Sequence, residues 1–142
     1  MSIQIPSVSA DEASDRRHVA LFALQRGGLA AWQAKRVALY MEANLTSSLR
    51  VADLADLVEL STSHFFRAFR VSFGVSPLVY LARQRVRRAQ ELMRSSGRPL
   101  SQIALDCGMC DQGHFARVFR RVMGVSPTAW RREFSQGPLG TR

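Results

Sequence analysis

The sequence has few of the residues that a disulfide framework or a membrane span requires. The chain holds two cysteines among 142 residues, too few for the disulfide framework of a small secreted protein. Its one continuous apolar run near the N-terminus, residues 19–24, is too short for a signal peptide or a membrane-spanning helix. We therefore expect a cytoplasmic protein with no membrane association.

Strand-forming patterns are also scarce. The sequence has no β-rich runs in which apolar and polar residues alternate, and it contains five prolines and nine glycines. A chain of this length can bury a helical core without disulfides or metals. The sequence therefore predicts an all-α fold.

Acidic residues become rare in the second part of the chain. Residues 1–60 hold six basic and seven acidic side chains, whereas residues 61–142 hold fourteen and four. The formal net charge of +9 is thus −1 for the first part and +10 for the second. Nearly all of the excess is arginine, which forms bidentate contacts to phosphate and guanine. This asymmetry indicates a polyanionic partner, and the alternative is an ordinary solvated basic surface.

A repeat accounts for much of this arginine. Residues 64–77 (HFFRAFRVSFGVSP) recur as residues 114–127 (HFARVFRRVMGVSP), at an offset of fifty. In each copy two phenylalanines are four residues apart and share one face of a helix, which predicts that this face is buried. These residues are Phe65 and Phe69 in the first copy, and Phe115 and Phe119 in the second. The arginines fall on the other faces.

The sequence around each copy predicts where its helix begins and ends. Gly74 and Gly124 favour a left-handed helix end, and the Ser-Pro pairs that follow favour the start of another helix. Upstream, residues 51–55 and 100–104 match at an offset of 49 and begin short amphipathic helices, so the second turn is one residue longer. Two short helices with a tight turn, the second exposing arginines, are typical of a helix-turn-helix motif.

From about residue 45 to residue 132 the chain resembles the DNA-binding domain of the AraC/XylS transcription regulators. The resemblance rests on the Leu54-Ala55 and Ile103-Ala104 pairs and on residues 61–69, 74–77, 85–92 and 103–127. The last of these (IALDCGMCDQGHFARVFRRVMGVSP) is the most specific signature of the family. Met109 and Cys110 replace a preferred aromatic after Gly108, which should change packing, and Gly113 replaces a common serine. The second change is expected to loosen the recognition helix or to remove a polar contact.

The resemblance implies about seven helices, arranged as two helix-turn-helix subdomains joined by a long linker helix. We predict a tail with a possible short helix (1–29), a first subdomain (30–76), a linker helix (77–98), a second subdomain (99–134) and a flexible tail (135–142). The helix over residues 30–45 is expected to bury Trp32, Val37, Tyr40 and Met41. The linker helix is expected to bury Val79, Ala82, Val86, Ala89 and Met93. The helix itself, from Pro77 to about Ser96, has twenty residues and would span roughly 30 Å, close to the ~34 Å between successive major-groove faces.

Base contacts are expected from exposed positions in the first two turns of each recognition helix. Carried over from the family, these are Ser63, Phe66 and Arg67 in the first helix, and Gln112, Gly113, Ala116 and Arg117 in the second. Arginine pairs with guanine and glutamine with adenine, while Phe66 either touches a thymine methyl or belongs to the core. Phosphate contacts are expected from His64, Arg70, Arg85, Ser101, His114, Arg120, Arg121 and Arg131. The alternative for the two histidines is a capping or packing role within the fold.

The spacing Cys107-x-x-Cys110, with His114 four residues further on, is also found in zinc and redox sites. A zinc site needs a fourth ligand, and no such residue is evident. We interpret Cys107 as a core residue and Cys110 as a turn residue. No nucleophile with its base, phosphate-cradling glycine loop or complete ligand set is evident, so we expect neither enzymatic activity nor a cofactor.

The sequence therefore predicts a nucleoid-associated transcription regulator that binds double-stranded DNA in two adjacent major-groove segments. RNA polymerase is a further expected partner. The alternative is a protein-interaction module of the same fold that acts through RNA polymerase or another regulator. The apolar residues within 12–25 suggest a homodimer or partner contact. Larger family members carry a sensing or dimerising domain before this one, so we expect either a stand-alone regulator or a fragment of a longer one.

Overall fold

All regular structure in the computed structural model, which describes residues 26–135, is helical. The helices are α1 (Ala31–Ala43), α2 (Val51–Leu57), α3 (Thr62–Phe73), α4 (Pro77–Ser95), α5 (Leu100–Asp106), α6 (Gln112–Met123) and α7 (Pro127–Trp130), followed by a π-helical turn (Arg131–Ser135). This confirms the predicted all-α fold with two helix-turn-helix motifs, α2–α3 and α5–α6, and a long helix between them. The predicted N-terminal helix and the contact through residues 12–25 lie outside the described residues. Within the described range, no helix is long and apolar enough to cross a membrane.

Two compact units make up the described chain: residues 26–40 with 50–77, and residues 41–49 with 78–135. In the first unit, the buried side chains of Phe65 and Phe69 confirm the predicted apolar face of α3. The entry to α1 is held by a hydrogen bond of 2.7 Å from Leu29 N to Oγ of the fully buried Ser72. Gln33 Nε2 donates to Val58 O at 3.1 Å, so a hydrogen bond joins α1 to the turn of the first helix-turn-helix motif.

The second unit has its own core. Val86, Ala89 and Met93 of α4 are buried with Ile103 and Ala104 of α5, Phe115 and Phe119 of α6, and Trp130 of α7. The rings of Phe119 and Trp130 meet edge to face, with 6.0 Å between centroids. The Arg94 guanidinium lies 5.2 Å from the centre of the Trp130 ring, a cation–π contact. Helix α6 therefore packs its two phenylalanines into this apolar core.

The turns of the two helix-turn-helix motifs share one hydrogen-bond pattern. Leu60 N donates to Ala55 O at 3.0 Å in the first, and Met109 N donates to Ala104 O at 2.9 Å in the second. A second bond in each turn joins the preceding amide to the carbonyl three residues earlier, which completes a Schellman motif. Four residues separate α2 from α3 and five separate α5 from α6, as the two offsets predicted.

Several predicted ends of helices are confirmed. Gly74 and Gly124 have φ of 81° and 84°, and each amide donates to the carbonyl four residues earlier at 2.8 Å. Ser126 Oγ accepts a hydrogen bond of 3.1 Å from Ala129 N, and Pro127 is the first residue of α7. The glycine therefore ends one helix and the Ser-Pro pair begins the next.

Three predicted core residues are exposed. Trp32 and Tyr40 of α1 are 52% and 37% exposed, because the buried stripe of this helix runs through Ala34, Val37 and Met41. Trp32 lies on the opposite side of the helix from that stripe. Val79 of α4 is 43% exposed, since it belongs to the first turn, whereas the α4 residues in the core cluster begin at Val86.

Candidate nucleic-acid interface

The buried and exposed residues of helix α3 lie on different faces. Its N-cap is Ser61, whose Oγ accepts a hydrogen bond of 3.2 Å from His64 N. Ala68 is buried with the two phenylalanines of the repeat. The predicted base-contacting residues Ser63, Phe66 and Arg67 are all exposed, as are His64 and Arg70. The structure therefore brings the predicted residues of the first motif onto the surface of one helix.

Helix α6 has the same organisation with a different cap. Asp111 is its N-cap, and its Oδ1 accepts a hydrogen bond of 2.7 Å from His114 N. The exposed residues include the predicted base contacts Gln112, Gly113 and Arg117 and the predicted phosphate contacts Arg120 and Arg121, while Ala116 is partly buried. The sequence prediction did not single out Asp111, although an aspartate three residues before a repeated His-Phe pair is a typical capping signal.

The arginines on these two helices have few partners in the protein. Within residues 26–135, no hydrogen bond or salt bridge engages the guanidinium groups of Arg67, Arg70, Arg117, Arg120 or Arg121. Each group keeps its planar fork of donors available for an external anion or base edge. The chemistry of the two helices thus suits a polyanion that also presents acceptors.

The two histidines differ although they occupy equivalent positions. His64 is exposed. His114 is partly buried, and its Nδ1 accepts a hydrogen bond of 3.4 Å from Cys110 N, which ties α6 to the preceding turn. The packing alternative therefore fits His114 better than it fits His64.

Arg85 and Arg131, two of the predicted phosphate contacts, donate hydrogen bonds to backbone carbonyls. Arg85 donates from Nε to Leu45 O at 2.9 Å and from Nη2 to Ser47 O at 2.8 Å. Arg131 donates from Nη1 to Arg98 O at 2.8 Å and from Nη2 to Ser96 O at 2.9 Å. Each guanidinium therefore fixes a segment just before a helix-turn-helix motif. Sequence alone cannot reveal this, because a carbonyl of any residue type serves as acceptor.

Ser101 lies at the start of a short helix. Helix α5 begins at Leu100, with Pro99 as an N-cap that forms no side-chain bond, and Ser101 is exposed in its first turn. At the other end, Asp106 accepts hydrogen bonds from Gln102 Nε2 at 3.0 Å and from Arg98 Nη1 at 2.6 Å. These bonds, with that from Gln102 the larger cause, lower the pKa of the Asp106 carboxyl.

The two cysteines have the surroundings that the sequence suggested. Cys107 is fully buried as the C-cap of α5, and Cys110 is exposed in the turn. Burial raises the pKa of the Cys107 thiol to about 11, which favours the protonated form. Across the described part of the chain, no group of three or more His, Cys, Asp or Glu residues is placed to hold a metal ion.

Comparison with known proteins extends this account. A family model described as a helix-turn-helix domain matches residues 54–133. The probable transcriptional regulator LumQ of Photobacterium leiognathi is 36% identical over 91 residues, which cover 64% of this chain and 37% of LumQ. This chain spans about a third of the length of the curated relatives it matches.

Solved structures agree with the sequence matches. The DNA-binding domain of the global transcriptional factor AdpA, crystallised with a target DNA, has a TM-score of 0.66 at 33% identity and covers 70% of this chain and 89% of that one. An AraC-type regulator from Chromobacterium violaceum has a TM-score of 0.64 at 28% identity, with coverage of 72% and 94%. Because the family model matches more than half of the chain and the structural counterparts are AraC-type DNA-binding domains, the chain belongs to the AraC/XylS family of helix-turn-helix regulators.

Proposed function

We propose that this chain is a sequence-specific, double-stranded DNA-binding transcription regulator that places α3 and α6 in two adjacent major-groove segments. The observation that carries the proposal is the repeated surface of these helices. Each presents arginines without partners among residues 26–135, on the side away from a buried pair of phenylalanines. A cationic helix face of this kind fits the major groove and its phosphate borders.

Base recognition is assigned to the exposed residues near the start of each helix. Arg67 and Arg117 occupy equivalent positions and each pairs with a guanine, the commonest specific contact of arginine. Phe66 is 37% exposed, which supports contact with a thymine methyl over a core role. The remaining proposed base contacts are Ser63, Gln112, Gly113 and Ala116.

Phosphate recognition is assigned to side chains around these positions. Arg70, Arg120 and Arg121 are exposed in the second half of each recognition helix. His64, Ser101 and His114 are the other proposed phosphate contacts. Backbone carbonyls occupy two donors of Arg85 and two of Arg131, so we assign these guanidinium groups to holding the backbone and not to phosphate.

The wider role of the chain follows from this assignment. We propose that it acts in the cytoplasm on the nucleoid, with RNA polymerase as a second partner and without catalysis. We propose two functional subdomains, residues 30–76 and 99–134, joined by a linker helix over residues 77–98. We also propose a homodimer contact through residues 12–25.

The dependence of binding on salt tests the DNA-binding proposal. If six or more phosphates are contacted, affinity for duplex DNA should fall roughly a thousandfold or more between 50 and 200 mM salt. A flat salt dependence, or no binding to duplex DNA at 50 mM salt, would favour the protein-interaction module of the same fold.

The substitution Arg117→Ala tests the assignment of the second helix. We expect the loss of about 1 to 3 kcal/mol of binding free energy on a specific site and relaxed preference at one base pair. Arg83→Ala, which removes an exposed charge from α4, is the matched control. Equal losses on specific and random duplexes would identify Arg117 as a phosphate contact instead.

A further inference from the structure

Arg85 lies in a confined place for a residue of its charge. It extends from α4 and is partly buried, and its Nε and Nη2 donate to the carbonyl oxygens of Leu45 and Ser47. Both acceptors belong to the segment that follows α1, and all three residues belong to the second compact unit. The guanidinium therefore holds this segment at two points, with the fork geometry that only arginine provides.

Gly108 lies next to the same segment and to the Arg85 guanidinium. It is the left-handed residue of the α5–α6 turn, with φ of 84°. A Cβ atom at this position would lie 2.9 Å from Leu45 O, 3.0 Å from Thr46 Cα and 3.1 Å from Arg85 Nε. The turn that begins α6 thus rests directly on the segment that Arg85 holds, and on the guanidinium itself.

The electrostatics explain why Arg85 stays in this position. Burial lowers the pKa of the Arg85 guanidinium, although an arginine remains charged at any relevant pH. A charge that loses water needs polar partners, and the two carbonyl oxygens supply them. A lysine ammonium would keep the charge without the planar fork that holds both carbonyls at once.

We propose that Arg85 is a positioning residue for the second recognition helix. By fixing the carbonyl oxygens of Leu45 and Ser47, it fixes the surface against which Gly108 packs. The α5–α6 turn and the first turn of α6 take their position from that surface. The consequence for DNA rests on the proposed function, in which Gln112 and Gly113 in this first turn approach base edges.

The substitution Arg85→Lys tests the proposal, with Arg83→Lys as the matched control on the exposed side of the same helix. The first readout needs no DNA: hydrogen exchange of the Met109 amide, which donates to Ala104 O within the turn. Protection should fall at least about tenfold in Arg85→Lys, since hydrogen bonds of a charged group are lost, and should not change in the control. Unchanged protection in Arg85→Lys would contradict the positioning role.

The second readout separates positioning from phosphate contact. Affinity of Arg85→Lys for a selected duplex should fall at least about tenfold, while the slope of log affinity against log salt stays at the wild-type value. Wild-type affinity in Arg85→Lys, with a slope shallower by about 0.9 in Arg85→Ala, would overturn the proposal and make Arg85 a phosphate ligand.

A measurement on the unaltered protein keeps the proposal testable if Arg85→Lys does not fold. The Nε–H resonance of Arg85 should be protected from exchange without DNA and should keep its chemical shift when DNA is added. A large shift on binding phosphate-containing duplexes would contradict the proposal. If the wild-type chain does not bind DNA at all, the proposed function fails, whereas the exchange of Met109 and Arg85 still decides the positioning role.

Discussion

The two helix-turn-helix motifs share their backbone and differ in what surrounds it. Glu59 and Gly108 occupy equivalent positions, one residue after the C-cap, with φ of 61° and 84°. Glu59 is exposed and its side chain extends into solvent, whereas a Cβ at Gly108 would meet the backbone of Leu45 and Thr46. The same turn therefore tolerates an L-residue at a modest cost in one unit and requires glycine in the other. Hydrogen bonds determine the geometry of the turn, and the neighbouring segment determines which residue type fits at this position.

Helices α3 and α6 also differ in the size and charge of their exposed side chains. Helix α3 presents Ser63 and Phe66 where α6 presents Gly113 and Ala116, so the surface of α6 carries smaller side chains beside its arginine. Helix α6 also has three arginines in place of two, and its cap is the charged Asp111 in place of Ser61. We expect the first helix to depend more on apolar contact and the second more on charge.

Gly108→Ala should destabilise the protein more than any other change proposed for the two turns. The left-handed conformation and the overlap with backbone atoms together should cost about 3 kcal/mol of the free energy of unfolding. Glu59→Ala places the same residue in the equivalent turn without such neighbours and should change stability by less than about 0.5 kcal/mol. Chemical denaturation of both variants measures the difference. Equal effects would show that the approach of residues 45–46 does not constrain Gly108.

Removal of the caps should destabilise both recognition helices by a smaller amount. Ser61→Ala and Asp111→Ala should each cost about 1 kcal/mol, with the larger loss at Asp111, whose charge also favours a helix N-terminus. Asp111→Asn keeps a capping oxygen and removes the charge. It should leave stability almost unchanged and strengthen binding to random duplexes, because a negative charge beside the phosphates is gone. Weaker binding by Asp111→Asn at equal stability would mean that the carboxylate contacts DNA directly.

Exchange of the second residue of each helix should shift stability in opposite directions. Gly113→Ser should stabilise by about 0.5 kcal/mol and Ser63→Gly should destabilise by a similar amount, because glycine is the poorer helix former. The space permits this change, since a Cβ at Gly113 would lie 3.4 Å from Asp111 Oδ1 and 3.6 Å from Arg117 Nη1. Thermal unfolding of the pair measures the shift. A loss of stability in Gly113→Ser would show that this region of α6 is more crowded than that of α3.

At neutral pH, the smallest expected effect on stability concerns the C-cap residues, Cys107 and its counterpart Val58. Because the folded pKa of Cys107 is raised to about 11, above the ordinary 9.0, its contribution to stability is present below pH 9 and is lost as the pH rises through 11. Cys107→Val installs the residue of the first unit and should remove this alkaline loss. At pH 8 a thiol reagent should label the exposed Cys110 and leave Cys107 unlabelled. Equal labelling of the native protein would mean that the core around Cys107 opens readily.

Local sequence rules were sufficient for most of the fold. The spacing of Phe65 and Phe69, the left-handed glycines and the Ser-Pro pairs each act within a few residues, so the sequence showed them directly. The wrongly predicted core residues lie on helix faces whose burial depends on segments distant in sequence. Trp32 looked like a core residue because it is large and apolar, but the buried stripe of α1 passes on the other side.

Within the candidate site, the sequence predicted exposure better than it predicted hydrogen-bond partners. The sequence indicated which face of α3 and of α6 would be exposed, because the repeat fixes that face relative to the phenylalanines. Ala116, which was expected on the exposed face, is partly buried. The sequence could not distinguish Arg70 from Arg85, since both are arginines on helices. Only the chain path, which brings the carbonyl oxygens of Leu45 and Ser47 to Arg85, distinguishes this arginine from Arg70, whose guanidinium has no partner among residues 26–135.

Selection of bound duplexes from genomic DNA, by the wild-type chain and by Arg67→Ala and Arg117→Ala, tests the central claim most directly. Two recognition helices that read separately should yield one asymmetric site with two clusters of preferred bases, about one helical turn apart. Each substitution should blur one cluster and leave the other intact. Loss of preference in the same cluster for both variants, or no enrichment at moderate salt, would contradict the claim that each motif reads its own segment of the groove.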